Sequence, residues 1–184
     1  MDFLDEAIEH LSEAIEEQLG PFGNSQVRLL CTIPGIQRRA AEVILAETGG
    51  DMTKFPTPGH LASWAGVCPG NDESAGKRRS GRTRRGSKWL RQTLTESAKA
   101  ASRTKETYLA AQYHRIRARR GANRATTAVA HSILTAVWHI LQTGELYNDP
   151  GGDYFVRRDP DRATKRLVAQ LERLGHHVIL REAA

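Results

Sequence analysis

Between Pro69 and Arg91 the chain reads PGNDESAGKRRSGRTRRGSKWLR, a segment whose residue types suit chemistry on phosphate. Eight Lys/Arg fall between Lys77 and Arg91, no carboxylate follows Glu73 within it, and four glycines punctuate it. A run this basic repels itself and cannot be buried unpaired, so it needs a polyanion or solvent around it. Glycines let a backbone approach a ligand closely. Ser74 and Ser80 set hydroxyls inside the positive field, where an attacked phosphodiester would be held. A serine hydroxyl is a weak nucleophile at its free pKa and needs a base, a metal or a strong field to attack. Lys77, Arg78 and Arg79 are suited to the charge that develops on phosphoryl oxygens. Arg82, Arg84 and Arg85, with Lys88 and Arg91 at the following helix, are suited to gripping backbone phosphates. Asp72 and Glu73 could orient the hydroxyl or a metal, or be ordinary loop carboxylates.

Other chemistry-bearing residues fit worse. Tyr108 and Tyr113 stand five apart on an amphipathic stretch and read as packing rather than as nucleophiles. His131 lies in the apolar run VAHSILTAVWHIL and reads as a core histidine. His176-His177 has no third ligand at metal-site spacing, and no metal site is expected in this chain. Cys31 and Cys68 form no CxxC pair and read as reduced thiols of a cytosolic protein.

Net charge is +6 and the pI is near 9.7, but the charge is unevenly spread. Residues 1–20 hold seven Asp/Glu and no Lys/Arg, so the rest of the chain carries 27 basic against 14 acidic residues. That body reads as a nucleic-acid-binding domain. No apolar run approaches the roughly 20 residues that cross a bilayer, and no basic secretory n-region opens the chain. A cytoplasmic, nucleoid-associated protein is expected.

The elements that must carry these residues are helical almost throughout, giving an all-α fold class. Leu4, Ile8, Leu11, Ile15 and Phe22 mark the seam of an amphipathic helix that stops near Gly20-Pro21. The seam predicts either an ordinary helix docked on its own domain or half of a coiled coil, with residues 1–20 pairing with a second copy or fraying. Asn24 to Thr48 reads as helix–turn–helix, with Ile33-Pro34-Gly35-Ile36 at the turn. The shape is like a helix-hairpin-helix, in which Gly35 and the N–H groups beyond it would bind DNA phosphate. Gln37 stands where that motif usually has glycine, and a plain αα-corner is the alternative. Thr57-Pro58 caps a short helix in which Leu61 and Trp64 read as core. Ser87 begins a helix with a buried stripe of Leu90, Leu94 and Ala98. Helices are predicted over 104–120 and 123–143, and Asp159-Pro160 caps a last one to Leu174. The tail HHVILR reads as extended, at most a short strand.

The order IPGI…AAEVILAETG, KFPTPGHLASWAGVCPG, NDESAGK and RRGSKWLRQTL resembles the C-terminal domain of the "IS one-ten" insertion-sequence transposases. The match covers roughly Asn24 to Leu141. These are DEDD enzymes, understood as bridge-RNA-guided recombinases. The resemblance implies a serine nucleophile at Ser74, whose Ser-Ala-Gly matches the family's S-x-G. It implies Mg²⁺ bound by an N-terminal RuvC-like domain of the full family protein, DNA as substrate, a guide RNA as partner, and homo-oligomers through a coiled coil. On that reading residues 1–22 end the coiled coil, 23–184 form the transposase domain, and the RuvC-like domain is absent. This chain would then be inactive alone. A non-catalytic nucleic-acid-binding module of transposase descent is the alternative.

Overall fold

The computed structural model describes residues 2–181 except 69–71, 81–82 and 84, and describes only the backbone of 2, 72–74 and 77–80. Eight α-helices are described: α1 (Asp2–Leu30), α2 (Arg38–Thr48), α3 (Pro58–Trp64), α4 (Lys88–Ala101), α5 (Tyr108–Arg120), α6 (Ala122–Thr143), α7 (Tyr154–Arg157) and α8 (Pro160–Arg173). A 3-10 turn covers Met52–Lys54, and two short strands, β1 (Asp72–Ser74) and β2 (Lys77–Ser80), interrupt an otherwise helical chain. The all-α class holds. The basic segment, expected as a loop, is in part a β-hairpin, and the tail 176–181 carries no strand.

Helix α6 is the centre of the fold. Ala125, Val129, Ile133, Val137 and Ile140 recur at spacings of four and three, and every one is buried. That stripe meets α5, α4 and α3, and also touches α1 and the 3-10 turn. Gly121 ends α5 and opens α6 with φ 82°, so the two helices turn back on each other through one residue. Trp138 Nε1 donates to the Phe55 carbonyl at 2.8 Å, fastening the 3-10 turn to α6.

Local signals start the helices where the sequence suggests. Thr57, Ser87, Thr107 and Asp159 each accept a backbone N–H three residues on, satisfying one orphan donor at an N-terminus. The α5 helix starts at Tyr108 rather than Thr104, because 102–106 form turns and Glu106 adopts φ 58°. Asp149 adds to that start by accepting the Tyr108 N–H at 2.8 Å.

The turn between α1 and α2 is a type II turn over Ile33–Ile36. Ile36 N–H donates to the Ile33 carbonyl at 3.0 Å, with Pro34 and then Gly35 (φ 87°) at its centre. Gly35 also lies against α4: a Cβ there would sit 2.3 Å from the Ser97 carbonyl oxygen and 2.9 Å from Ala101 Cβ. The turn therefore reaches the backbone of α4 only because position 35 has no side chain.

The span α1 is two helices joined at a kink. Gly20 (φ 60°, ψ −173°) is non-helical, so the first stops near Gly20-Pro21 as expected, and a second runs on to Leu30, where Val27 and Leu30 enter the core. The part before the bend meets α2 through charge. Glu42 of α2 is buried and takes Arg38 Nε at 2.8 Å and Arg39 Nη1 at 2.9 Å. Arg38 reaches on to Glu16 at 2.9 Å, and Arg39 donates to Ser12 Oγ at 2.8 Å. The bond to Glu42 and the charge of Glu16 push the Arg38 pKa still higher. Leu4, Ile8 and Leu11 nevertheless stay exposed. The N-terminal segment is thus tied to its own domain by these polar contacts and by Leu19, which packs on the core, and leaves the outer part of its seam open.

Gly35→Ala combines a left-handed φ with a collision against fixed backbone, so it is expected to cost about 2–4 kcal/mol. Urea unfolding of the variant should show a lower midpoint with an unchanged slope; an unshifted midpoint would mean that the turn does not press on α4.

Candidate nucleic-acid interface

The segment that carries the candidate serine folds as a two-stranded antiparallel hairpin, with Ser74 opposite Lys77, Glu73 opposite Arg78 and Asp72 opposite Ser80. The register shifts between the pairs Asp72–Ser80 and Glu73–Arg78, so Arg79 is the extra residue and the bulge lies on the second strand. Ala75 (φ 50°) and Gly76 (φ 73°) form the two-residue connection. Two successive positive φ values are the mark of a type I′ turn, which matches the right-handed twist of paired strands. Alanine is an uncommon choice there, since a left-handed φ costs an L-residue roughly 1–2 kcal/mol. Ser74 and Lys77 are consequently the two residues flanking this two-residue reversal. Arg78 and Arg79 follow on β2, Arg82 and Arg84 lie outside the described residues, and Arg85 is exposed.

How this segment is fixed to the domain is decided at Gly86. A Cβ at that position would lie 2.4 Å from both the carbonyl carbon and oxygen of Ala65 and 2.7 Å from Gly66 N. The chain therefore passes directly over the C-terminal end of α3 before Ser87 caps α4. Neither the hairpin nor the role of Gly86 was visible in the sequence. Strands built from Asp, Glu, Lys and Arg lack the apolar alternation that marks a half-buried strand. The pair Ala-Gly before Lys was the available turn signal, and a weak one.

Beyond Gly86 the basic character continues along α4. Arg85, Lys88, Arg91 and Lys99 line an open groove of about 540 Å³, with Glu96 as the carboxylate among its lining residues. Glu96 accepts from Gln92 at 3.1 Å, and among the described residues none of the four cations is ion-paired. These side chains thus present uncompensated charge to solvent, the arrangement that phosphates neutralise. The candidates Lys88 and Arg91 belong to this surface. Gly35 does not: it packs on α4 in the opposite sense, and its lack of a side chain serves helix packing. The cations at the start of α2, Arg38 and Arg39, are committed to Glu42.

The competing nucleophiles have structural explanations. Tyr108 sits against Tyr154 and Phe155 at 5.1 and 5.3 Å between ring centres, and burial pushes its pKa up. Tyr113 packs against the core cluster. Both cysteines are free thiols whose pKa values are raised by desolvation, away from the reactive thiolate. His131 is half-buried on α6 rather than enclosed in the core, while Trp64, expected inside, is 44% exposed and tilts on Phe55 at 5.4 Å. Among the described residues no three His, Cys, Asp or Glu side chains converge as a metal site. Among them, too, no helix is long and apolar enough to cross a membrane.

Residues 27–115, which carry the cationic hairpin and much of the groove's helix, match the Transposase IS116/IS110/IS902 family. A curated protein of Streptomyces coelicolor, described as an insertion element IS110 uncharacterized 43.6 kDa protein, is 34% identical over 125 residues. That alignment covers 65% of this chain and 29% of the relative, so the chain spans under a third of that protein's length. The segment 27–115 that matches the IS116/IS110/IS902 transposase family contains the turn, the hairpin and α4.

Gly86→Ala is expected to lower stability by about 1–3 kcal/mol through overpacking on Ala65. Hydrogen exchange should quicken at the amides of 85–90 and at the end of α3, leaving α6 protected. Unchanged exchange at those amides would show that the basic segment is not anchored there.

Proposed function

We propose that this chain engages DNA through the cationic surface from Lys77 to Lys99 and that Ser74 is its nucleophile in strand exchange. The observation that carries the reading is the hairpin, which sets Ser74 directly opposite Lys77 across a two-residue turn at the head of the basic segment. Attack by Ser74 Oγ on a phosphodiester forms an Oγ–P bond and breaks one P–O bond to deoxyribose. Oγ gives up its proton as the bond forms and the leaving oxygen takes one up, so protons balance and the phosphoserine link retains the bond energy needed for rejoining. Lys77, Arg78 and Arg79 stabilise charge on the non-bridging oxygens. Lys88 and Arg91, with Arg82, Arg84 and Arg85, hold flanking phosphates without reading bases.

The Mg²⁺ that the family resemblance implies finds no fitting carboxylate set among the described residues, so no step is assigned to it. Guide RNA and a second copy of the chain are proposed partners. The RNA reading rests on the family, and the second copy is motivated by the open seam of Leu4, Ile8 and Leu11.

In a reconstituted reaction with element DNA, Ser74→Ala should abolish covalent protein–DNA adducts while leaving DNA affinity within about twofold of the parent. Adducts that persist in Ser74→Ala, or vanish only in Ser80→Ala, would move the nucleophile elsewhere. Binding of duplex DNA should also weaken steeply with salt, each neutralised phosphate adding roughly −0.9 to the log–log slope. Replacing Arg82, Arg84 and Arg85 with alanine should flatten that slope by up to about three such increments; an unchanged slope would remove this segment from the interface.

A further inference from the structure

An aromatic residue stands on the cationic face of α4 where a soluble helix has little reason to keep one. Trp89 is 62% exposed. On the described part of that face its companions are polar or small: Lys88, Arg91, Gln92, Glu96 and Lys99 are all exposed, while Leu90, Leu94, Ala98 and Ala101 point into the core. The apolar stripe of α4 is therefore complete without Trp89. The Lys88 ammonium lies 5.5 Å from the centre of the indole ring, so the ring surface borders the groove's charge. Arg85, Arg91 and Lys99 extend that charge along the groove.

We infer that Trp89 is a stacking platform for an unpaired nucleobase, held there while Lys88, Arg91 and Lys99 take the adjoining phosphates. This rests on the nucleic-acid reading above and deepens it by naming the form of strand the groove accepts. The physical argument is one of access. In a duplex the base faces are stacked on one another, and a surface indole meets only phosphate and sugar. In a single strand each base offers a free π-face, and a charged groove with an exposed aromatic binds it whatever its sequence. Cations alone would serve a duplex and a single strand alike; the exposed indole adds a contact that only the unpaired strand can use.

The test uses the full chain with three probes of one sequence: a single-stranded deoxyoligonucleotide, the matching single-stranded RNA, and the blunt DNA duplex. Trp89→Ala should weaken binding of the single strands about tenfold and leave the duplex within about twofold. Trp89→Phe should restore most of the single-strand affinity. It should also remove the fluorescence quenching that a bound single strand causes, although Trp64 and Trp138 remain. Equal loss for DNA and RNA strands locates the contact in the base; loss for one alone identifies which strand the groove takes. The inference is overturned if Trp89→Ala binds single strands like the parent, or loses single strand and duplex equally. It is also overturned if the variant changes self-association and not oligonucleotide binding. A parent chain that binds none of the three probes would refute the nucleic-acid reading itself, an outcome distinct from any difference between parent and variant.

Discussion

The rest of the structure depends on the burial of one face of α6. Val129, Ile133, Leu134 and Val137 are fully enclosed, and α3, α4 and α5 are each held in place by what they contribute to that enclosure. Non-directional apolar burial is well suited to this task, since it fixes helices by their stripes and leaves their opposite faces free. The free face of α4 is where the lysines and arginines collect. A chain with a large excess of positive charge beyond residue 20 can fold because the core asks nothing of those residues. It is notable that the family match ends at residue 115, within α5, while the helix that completes the core begins at Ala122.

Two glycines then convert helix packing into placement of the basic segment. Gly35 lets the α1–α2 turn press on the backbone of α4, and Gly86 lets the chain leaving the hairpin press on the end of α3. Close backbone contact is stiff in a way that side-chain contact is not, because it has no rotamers to yield. A hairpin of charged residues has no apolar face with which to anchor itself, so its entry into α4 is fixed by this backbone contact and by the Ser87 cap.

Much of the fold was legible because helix signals are local. Thr57, Ser87 and Asp159 announced their caps, and the period of α6 announced its stripe. What could not be read depended on neighbours distant in sequence. Gly35 looked like a phosphate-binding turn, since nothing nearby reveals that Ser97 and Ala101 lie against it. Nothing local in the sequence marks Glu42 as the buried carboxylate that two arginines share. The hairpin was missed because its strands carry charge on successive residues, and the turn that joins them relies on Ala75 accepting an unfavourable φ. The candidate serine itself was found from chemistry and resemblance, and its cross-strand neighbour Lys77 emerged from the register.

The break at Gly20 that the Gly-Pro pair announces gives the first helix a mechanical character of its own. Residues 2–19 form a rod of about 27 Å at 1.5 Å per residue, hinged at one glycine and stayed by Glu16 and Ser12 against α2. The stays lie near the hinge, so they have a short moment arm, whereas Leu4 and Ile8 ride near the far end. A load applied at the tip is therefore multiplied at the Arg38–Glu16 pair. Both members of that pair are about half exposed to water, so such a load would be met there before it reached the buried helices.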